Sequence, residues 1–298
     1  MRKALLAALA AFGVATGAAA QDARGTLRAV LLGELRSLDP VWTTATQTRF
    51  HSFMVYDTLF GLDAELNVRP QMVERWEVSP DNLTYTFTLR DGLRFHDGAA
   101  VTAEDVVASW RRWALTDAAG MMISGFLASL EATDARTFRA TLREPFGQLL
   151  FALAKPMAMP LFVMPARLVR DLSGQQQVAE PVGSGPFRML RDQWVAGSRV
   201  VYARNPDYVP REEPASGNAG GKRVRVERVE WLTLPDPTTQ AAALQRGEID
   251  FIETAPLDLL PVLRRNRDIV VRPVWPTGTQ GILRLNHLNP PFDNPAIR

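Results

Sequence analysis

The apolar positions of this chain repeat with two periods. Between Leu83 and Leu89 they alternate strictly, Leu83, Tyr85, Phe87 and Leu89 against Thr84, Thr86 and Thr88, which predicts a half-buried strand. Thr26–Leu32, Thr137–Leu142, Phe187–Leu190, Arg199–Ala203, Arg225–Leu234 and the short run Ile249–Ile252 read as further strands. Helical spacing appears in Arg49–Leu59, with Phe50, Phe53, Met54 and Asp57 on that period. A capping-box start at Thr102-Ala103-Glu104-Asp105 leads into Val106, Val107, Trp110 and Trp113. Asp236-Pro237 opens a helix over Thr238–Arg246 that Gly247 closes. Asp91-Gly92 and Asp97-Gly98 are turn dipeptides, Gly183-Ser184-Gly185-Pro186 marks a boundary, and Pro210–Gly221 is a loop. Strands and helices mix throughout, so the class is α/β or α+β, with no internal repeat.

The first 20 residues follow a different logic. Arg2 and Lys3 precede an apolar stretch, Ala4 to Val14, and Ala18-Ala19-Ala20 offers small residues before Gln21. This is the pattern of a cleaved export leader, and it predicts a mature protein released after Ala20 to a periplasm or the medium. No later apolar run is long enough for a membrane span. The net charge of +2 resides in Arg2 and Lys3, so the mature chain is neutral. Its densest basic cluster, Lys222, Arg223, Arg225 and Arg228, is interrupted by Glu227 and Glu230 and reads as a solvated face, not a nucleic-acid surface.

Several chemistries are excluded by what the sequence lacks. Without cysteine there is no disulfide, thiolate metal site, cysteine nucleophile or N-terminal lipid anchor. His51, His96 and His287 are far apart and lack metal-ligand spacing, so no metal or other cofactor is expected. No phosphate-binding Walker loop is present, so this chain is not expected to hydrolyse ATP. Gly183-Ser184-Gly185 lacks the register of a nucleophile elbow. A secreted hydrolase using Ser184 or paired carboxylates is the enzyme alternative to a binding role, and a non-transport binding or chaperone module is the other.

A series of motifs then follows in order. These are Ser37-Leu38-Asp39-Pro40, Val55-Tyr56-Asp57-Thr58-Leu59-Phe60, Tyr85 to Gly92, Phe95-His96-Asp97-Gly98 and Thr102 to Val106. Gly183 to Phe187, Arg204-Asn205-Pro206-Asp207-Tyr208, Ala243 to Asp250 and Pro290 to Pro295 complete it. Together they resemble the extracellular solute-binding proteins of family 5, the peptide- and nickel-type receptors of ATP-driven importers. The resemblance covers essentially all of 26–298.

The resemblance implies a two-lobed periplasmic-binding-protein-like fold of class II type that closes on a small solute by bending hinge strands. It places the lobe I core at 22–45 and 180–274, an inserted subdomain at 46–179, and the start of a second lobe at 275–298. Family members are considerably longer, and the unfinished helix start Asp293-Asn294-Pro295 suggests that this chain is truncated. Val270–Trp275 is then the first hinge crossing. Ligand contacts are expected from aromatic and polar groups just after lobe I strands: Trp42, Thr43, Thr44 and Gln47, with Trp275, Thr277 and Thr279 at the crossing. Lys155, one of three lysines, is a candidate partner for a ligand carboxylate. The turn and cap motifs are expected to be structural. The implied role is non-catalytic: a monomer binds a small solute, a di- or oligopeptide ahead of nickel chelates, glutathione-like thiols, opines or sugars, and delivers it to an inner-membrane ABC permease with its ATPase subunits.

Overall fold

Strand β1 (Thr26–Val30) is followed, after a loop, by helix α1 (Thr46–Val55). In this computed structural model, which describes residues 25–274 and 283–297, α1 stops short of the expected Leu59. Tyr56 is extended, and Asp57, expected on the helix, lies in β2 (Asp57–Thr58). There its buried carboxylate meets Lys222 Nζ at 2.6 Å and Tyr208 OH at 2.9 Å, partners that no helical neighbour supplies.

The chain then builds an antiparallel subdomain. A hairpin of β3 (Phe60–Leu62) and β4 (Val68–Pro70) leads into β5 (Val73–Val78) and β6 (Thr84–Leu89). Helices α2 (Ala103–Trp113) and α3 (Ala118–Phe126) precede β7 (Leu127–Ala132) and β8 (Thr137–Leu142). The four longer strands form a sheet in the order β5-β6-β8-β7. Alternation works here as read: Tyr85, Phe87 and Leu89 face the core, as do Phe138, Ala140 and Leu142. Phe87 stands directly across from Phe138 and stacks on it at 4.8 Å. Trp110 and Trp113 of α2 are fully buried in the same core, and Trp113 Nε1 donates to Met159 O at 2.7 Å. Helix α4 (Leu149–Ala154), β9 (Phe162–Val163), which pairs with β2, and α5 (Ala166–Val169) complete this part.

A second core lies over a five-stranded sheet. Strands β10 (Phe187–Met189), β11 (Arg199–Arg204), β12 (Arg228–Leu232) and β13 (Phe251–Ile252) join β1 in the order β10-β11-β12-β1-β13. Helix α6 (Pro237–Gln245) connects β12 to β13, capped by Asp236 and closed by Gly247 at φ +70°, as the sequence predicts. β1 runs parallel to both β12 and β13, so the carboxyl ends of three strands share one edge.

From Pro256 onward the described residues form a separate unit, which contains α7 (Leu260–Arg265). No strand forms over 270–274, where the hinge strand was expected to begin. The expected helix start at Asp293 is a run of turns, in which Asn294 Oδ1 accepts from Ala296 N at 3.0 Å.

Candidate functional site

The shared carboxyl edge of β12, β1 and β13 is the part of an open α/β sheet where ligands collect, because the connections leave it in different directions and open a crevice. Leu32, two residues past β1, is 68% exposed there. Its N–H donates to Glu253 Oε2 at 2.7 Å, and its carbonyl accepts from Gln47 Nε2. Gly33 turns the chain at φ +104° against the Gln47 amide, a conformation that L side chains rarely adopt. Arg49 is half-buried. Burial lowers its guanidinium pKa, and the Glu253 charge opposes that shift.

The expected contacts Trp42, Thr43 and Thr44 lie in the loop that enters α1, and Gln47 lies in its first turn. Trp42 is 42% exposed, more than a core tryptophan allows. Thr43 Oγ1 accepts from Ala45 N at 3.2 Å. The loop is held from behind. Asp39 Oδ1 accepts from Val41 N at 2.9 Å, and Asp39 also grips Arg112. Thr48 Oγ1 donates to Ser37 O at 2.8 Å.

Lys155 is placed elsewhere. Its Nζ lies 2.6 Å from Asp117 Oδ2 and 5.7 Å from the centre of the Trp113 ring, so an internal carboxylate already neutralises it. Trp275, Thr277 and Thr279 lie outside the described residues. Glu253 and Arg49 stand at the same edge and were not expected from the sequence; Glu253 immediately follows β13.

The geometry around Ser184 is not that of a nucleophile. The residue is 5% exposed, and its Oγ has no hydrogen-bond partner among the described residues. His96, the nearest base in the motif network, spends both ring nitrogens on backbone: Gly183 N donates to Nδ1 at 3.4 Å, and Nε2 lies 3.2 Å from Gly185 O. The glycines serve close packing. A Cβ on Gly183 would sit 1.9 Å from Val55 O, and one on Gly185 2.6 Å from Met54 O. No group of three or more metal-ligating side chains occurs among the described residues.

The remaining motifs hold one another. Asn205 Nδ2 donates to Gly185 O at 3.0 Å, and Arg188 bridges Asn205 and Asp207. Tyr208 reaches Asp57. Asp105 Oδ2 accepts from Thr102 N at 2.7 Å, while its Oδ1 accepts from Ala166 N, also at 2.7 Å. Of these contacts, Tyr208–Asp57 joins the part that follows the five-stranded sheet's β11 to β2.

Fold, strand edge and motif network lead to one family. The sequence profile of the bacterial extracellular solute-binding proteins, family 5 (middle), matches residues 67–298, and the chain belongs to that family. It is 42% identical over 302 residues, 99% of its own length and 56% of the relative's, to y4tO of Sinorhizobium fredii, a probable peptide ABC transporter periplasmic-binding protein. The fold is similar to that of AgaA of A. tumefaciens R10 in complex with agropinic acid, with TM-score 0.67 and 28% identity over 82% of this chain and 46% of that one. It is equally similar to DppA of Helicobacter pylori in complex with the peptide STSA, with TM-score 0.67 and 25% identity over 82% and 49% of the two chains. The periplasmic-binding-protein class read from the sequence is therefore correct. The chain spans about half the length of the relatives it matches. Among the described residues no helix is long and apolar enough to cross a membrane.

Proposed function

We propose that this chain carries the first lobe of the substrate-binding component of an ABC importer. Residues 22–45 and 180–274 supply the lobe core, 46–179 the inserted subdomain, and 275–298 the start of a second lobe. The ligand is a small solute of the peptide class, held at the carboxyl edge of β1 and β13 by Trp42, Thr43, Thr44 and Gln47; Trp275, Thr277 and Thr279 are the further contacts that the family resemblance implies. Lys155, paired with Asp117, belongs to the scaffold. The protein works in the periplasm as a monomer after cleavage near Ala20, hands its solute to a membrane permease driven by ATPase subunits, and catalyses no reaction.

One observation carries the reading. The loop behind β1 presents an exposed tryptophan on a buried ionic anchor, at the sheet edge where open α/β folds bind ligands. The peptide relative and the peptide-bound neighbour support the ligand class. Uptake of labelled tri- and tetrapeptides by cells lacking the gene tests it. Loss of uptake, restored by the wild-type gene and not by Trp42→Ala, is the expected result. Undiminished uptake in the deletion strain would contradict the transport role.

A further inference from the structure

Helix α2 has a second face that the ligand edge does not use. Glu104, Val107 and Arg111 recur along one stripe of the helix, and Leu115 follows in the turn that ends it. Together with β7 and α5 this stripe encloses a half-open groove of about 540 Å³. That is the size of a small-molecule site, not of a protein interface. Val107, Leu115, Val169 and Leu172 give it an apolar floor. Its charges are all paired except one. Glu104 is matched by Arg170 at 2.7 Å, Arg112 by Asp39 at 2.5 Å, and Glu131 by Arg139 at 3.9 Å. Arg111 donates to the neutral carbonyl of Leu130 at 2.8 Å and has no carboxylate partner among the described residues.

We propose that this groove is a second binding site, for a small amphipathic monocarboxylate. The carboxylate pairs with Arg111, and the hydrocarbon body lies along Val107, Leu115 and Leu172. Charge complementarity selects the class. The groove carries one uncompensated positive charge over hydrocarbon, so a cationic amphiphile is repelled and a neutral one leaves Arg111 unpaired. The wall is preformed, because Arg112 is fixed by its buried pair with Asp39 and does not need ordering on binding. The site stands independently of the peptide reading.

Isothermal titration of the full chain with octanoate tests it, with octyltrimethylammonium and octanol as controls. One saturable octanoate site is expected, with no saturable binding of octyltrimethylammonium. Arg111→Gln should weaken octanoate by roughly tenfold, the scale of a lost ionic hydrogen bond. Arg111→Lys should keep most of the affinity, which separates lost charge from lost fold, and Leu115→Glu should abolish binding. Absence of saturable octanoate binding at millimolar concentration would overturn the proposal. So would unchanged affinity in both Arg111→Gln and Leu115→Glu, or equal binding of the cationic amphiphile.

Discussion

Asp39 and Arg112 meet in a two-point ion pair inside the protein. Arg112 Nη2 lies 2.5 Å from Asp39 Oδ2 and Nη1 lies 3.0 Å from Oδ1, with the Asp39 and Arg112 side chains 0% and 3% exposed. The carboxylate also accepts from Val41 N and Val178 N, and Arg112 donates to Gln176 O. One pair thus joins the Leu-Asp-Pro turn, helix α2 and the chain returning to the five-stranded sheet. Removing one partner leaves a buried charge uncompensated, which costs about 3–5 kcal/mol. Urea denaturation should show that loss in Asp39→Leu and in Arg112→Met. The double variant should lose less than the sum, because no charge is orphaned. Single variants within about 1 kcal/mol of wild type would mean that the pair is not desolvated as described.

The glycines around Ser184 give a sharper test of packing. Gly183→Ala would place a Cβ 1.9 Å from the Val55 carbonyl, a contact that only backbone movement relieves. Gly125, in helix α3, meets nothing within 4 Å. Thermal denaturation should show a large loss for Gly183→Ala, about 2 kcal/mol or more. It should show no loss, or a gain of up to about 1 kcal/mol, for Gly125→Ala. Equal effects at the two positions would contradict the close approach of 183–185 to the end of α1.

Much of this architecture was legible and some was not, for physical reasons. Strand β6 announced itself because one face is buried and the other is threonine. Helix α6 did so through Asp236, Pro237 and Gly247. Helix α3 was missed: Ala-Ala-Gly-Met-Met-Ile-Ser-Gly-Phe has no polar stripe, and its cap, Asp117, was the one local signal. Strand β5 was missed because it is an edge strand with most of its side chains exposed. The motifs were recognisable singly, but their mutual contacts were not. Asp39 and Arg112 lie 73 residues apart, and no local spacing encodes such a pair. Glu253 follows β13 immediately, so its place beside the end of β1 depends on strand pairing and not on local spacing.

The buried His51 and the half-buried His96 make stability sensitive to acid. Burial lowers His51 to about 3 and His96 to about 4, from an ordinary value of 6.5. Above 6.5 both are neutral whether the chain is folded or not, so they add no pH dependence. Below it the unfolded chain takes up protons that the folded chain does not. Stability therefore falls as the pH drops from 6.5 toward 4, by about 1.4 kcal/mol per unit for the fully buried His51 and by less for His96. Melting temperatures should be flat with respect to these groups above pH 6.5 and decline steadily below pH 6. In His96→Gln that decline should be shallower. An unchanged slope would remove His96 from the account.

Lys155 is paired internally with Asp117. Its Nζ is 2.6 Å from Asp117 and the side chain is 18% exposed. Lys155→Met leaves the buried Asp117 carboxylate without its cation and should lower stability by about 1–3 kcal/mol. On the proposed scaffold role, peptide affinity should stay within about twofold. A tenfold or larger loss of affinity at intact stability would return Lys155 to the ligand site.

The most direct measurement is native mass spectrometry of the gene product purified from the periplasm and mixed with a tri- to hexapeptide library. The account predicts a single non-covalent peptide adduct, intact peptides after long incubation, and loss of the adduct in Trp42→Ala combined with Gln47→Ala. A protein that takes up no peptide, or that cleaves the library or carries a covalent fragment on Ser184, would contradict it.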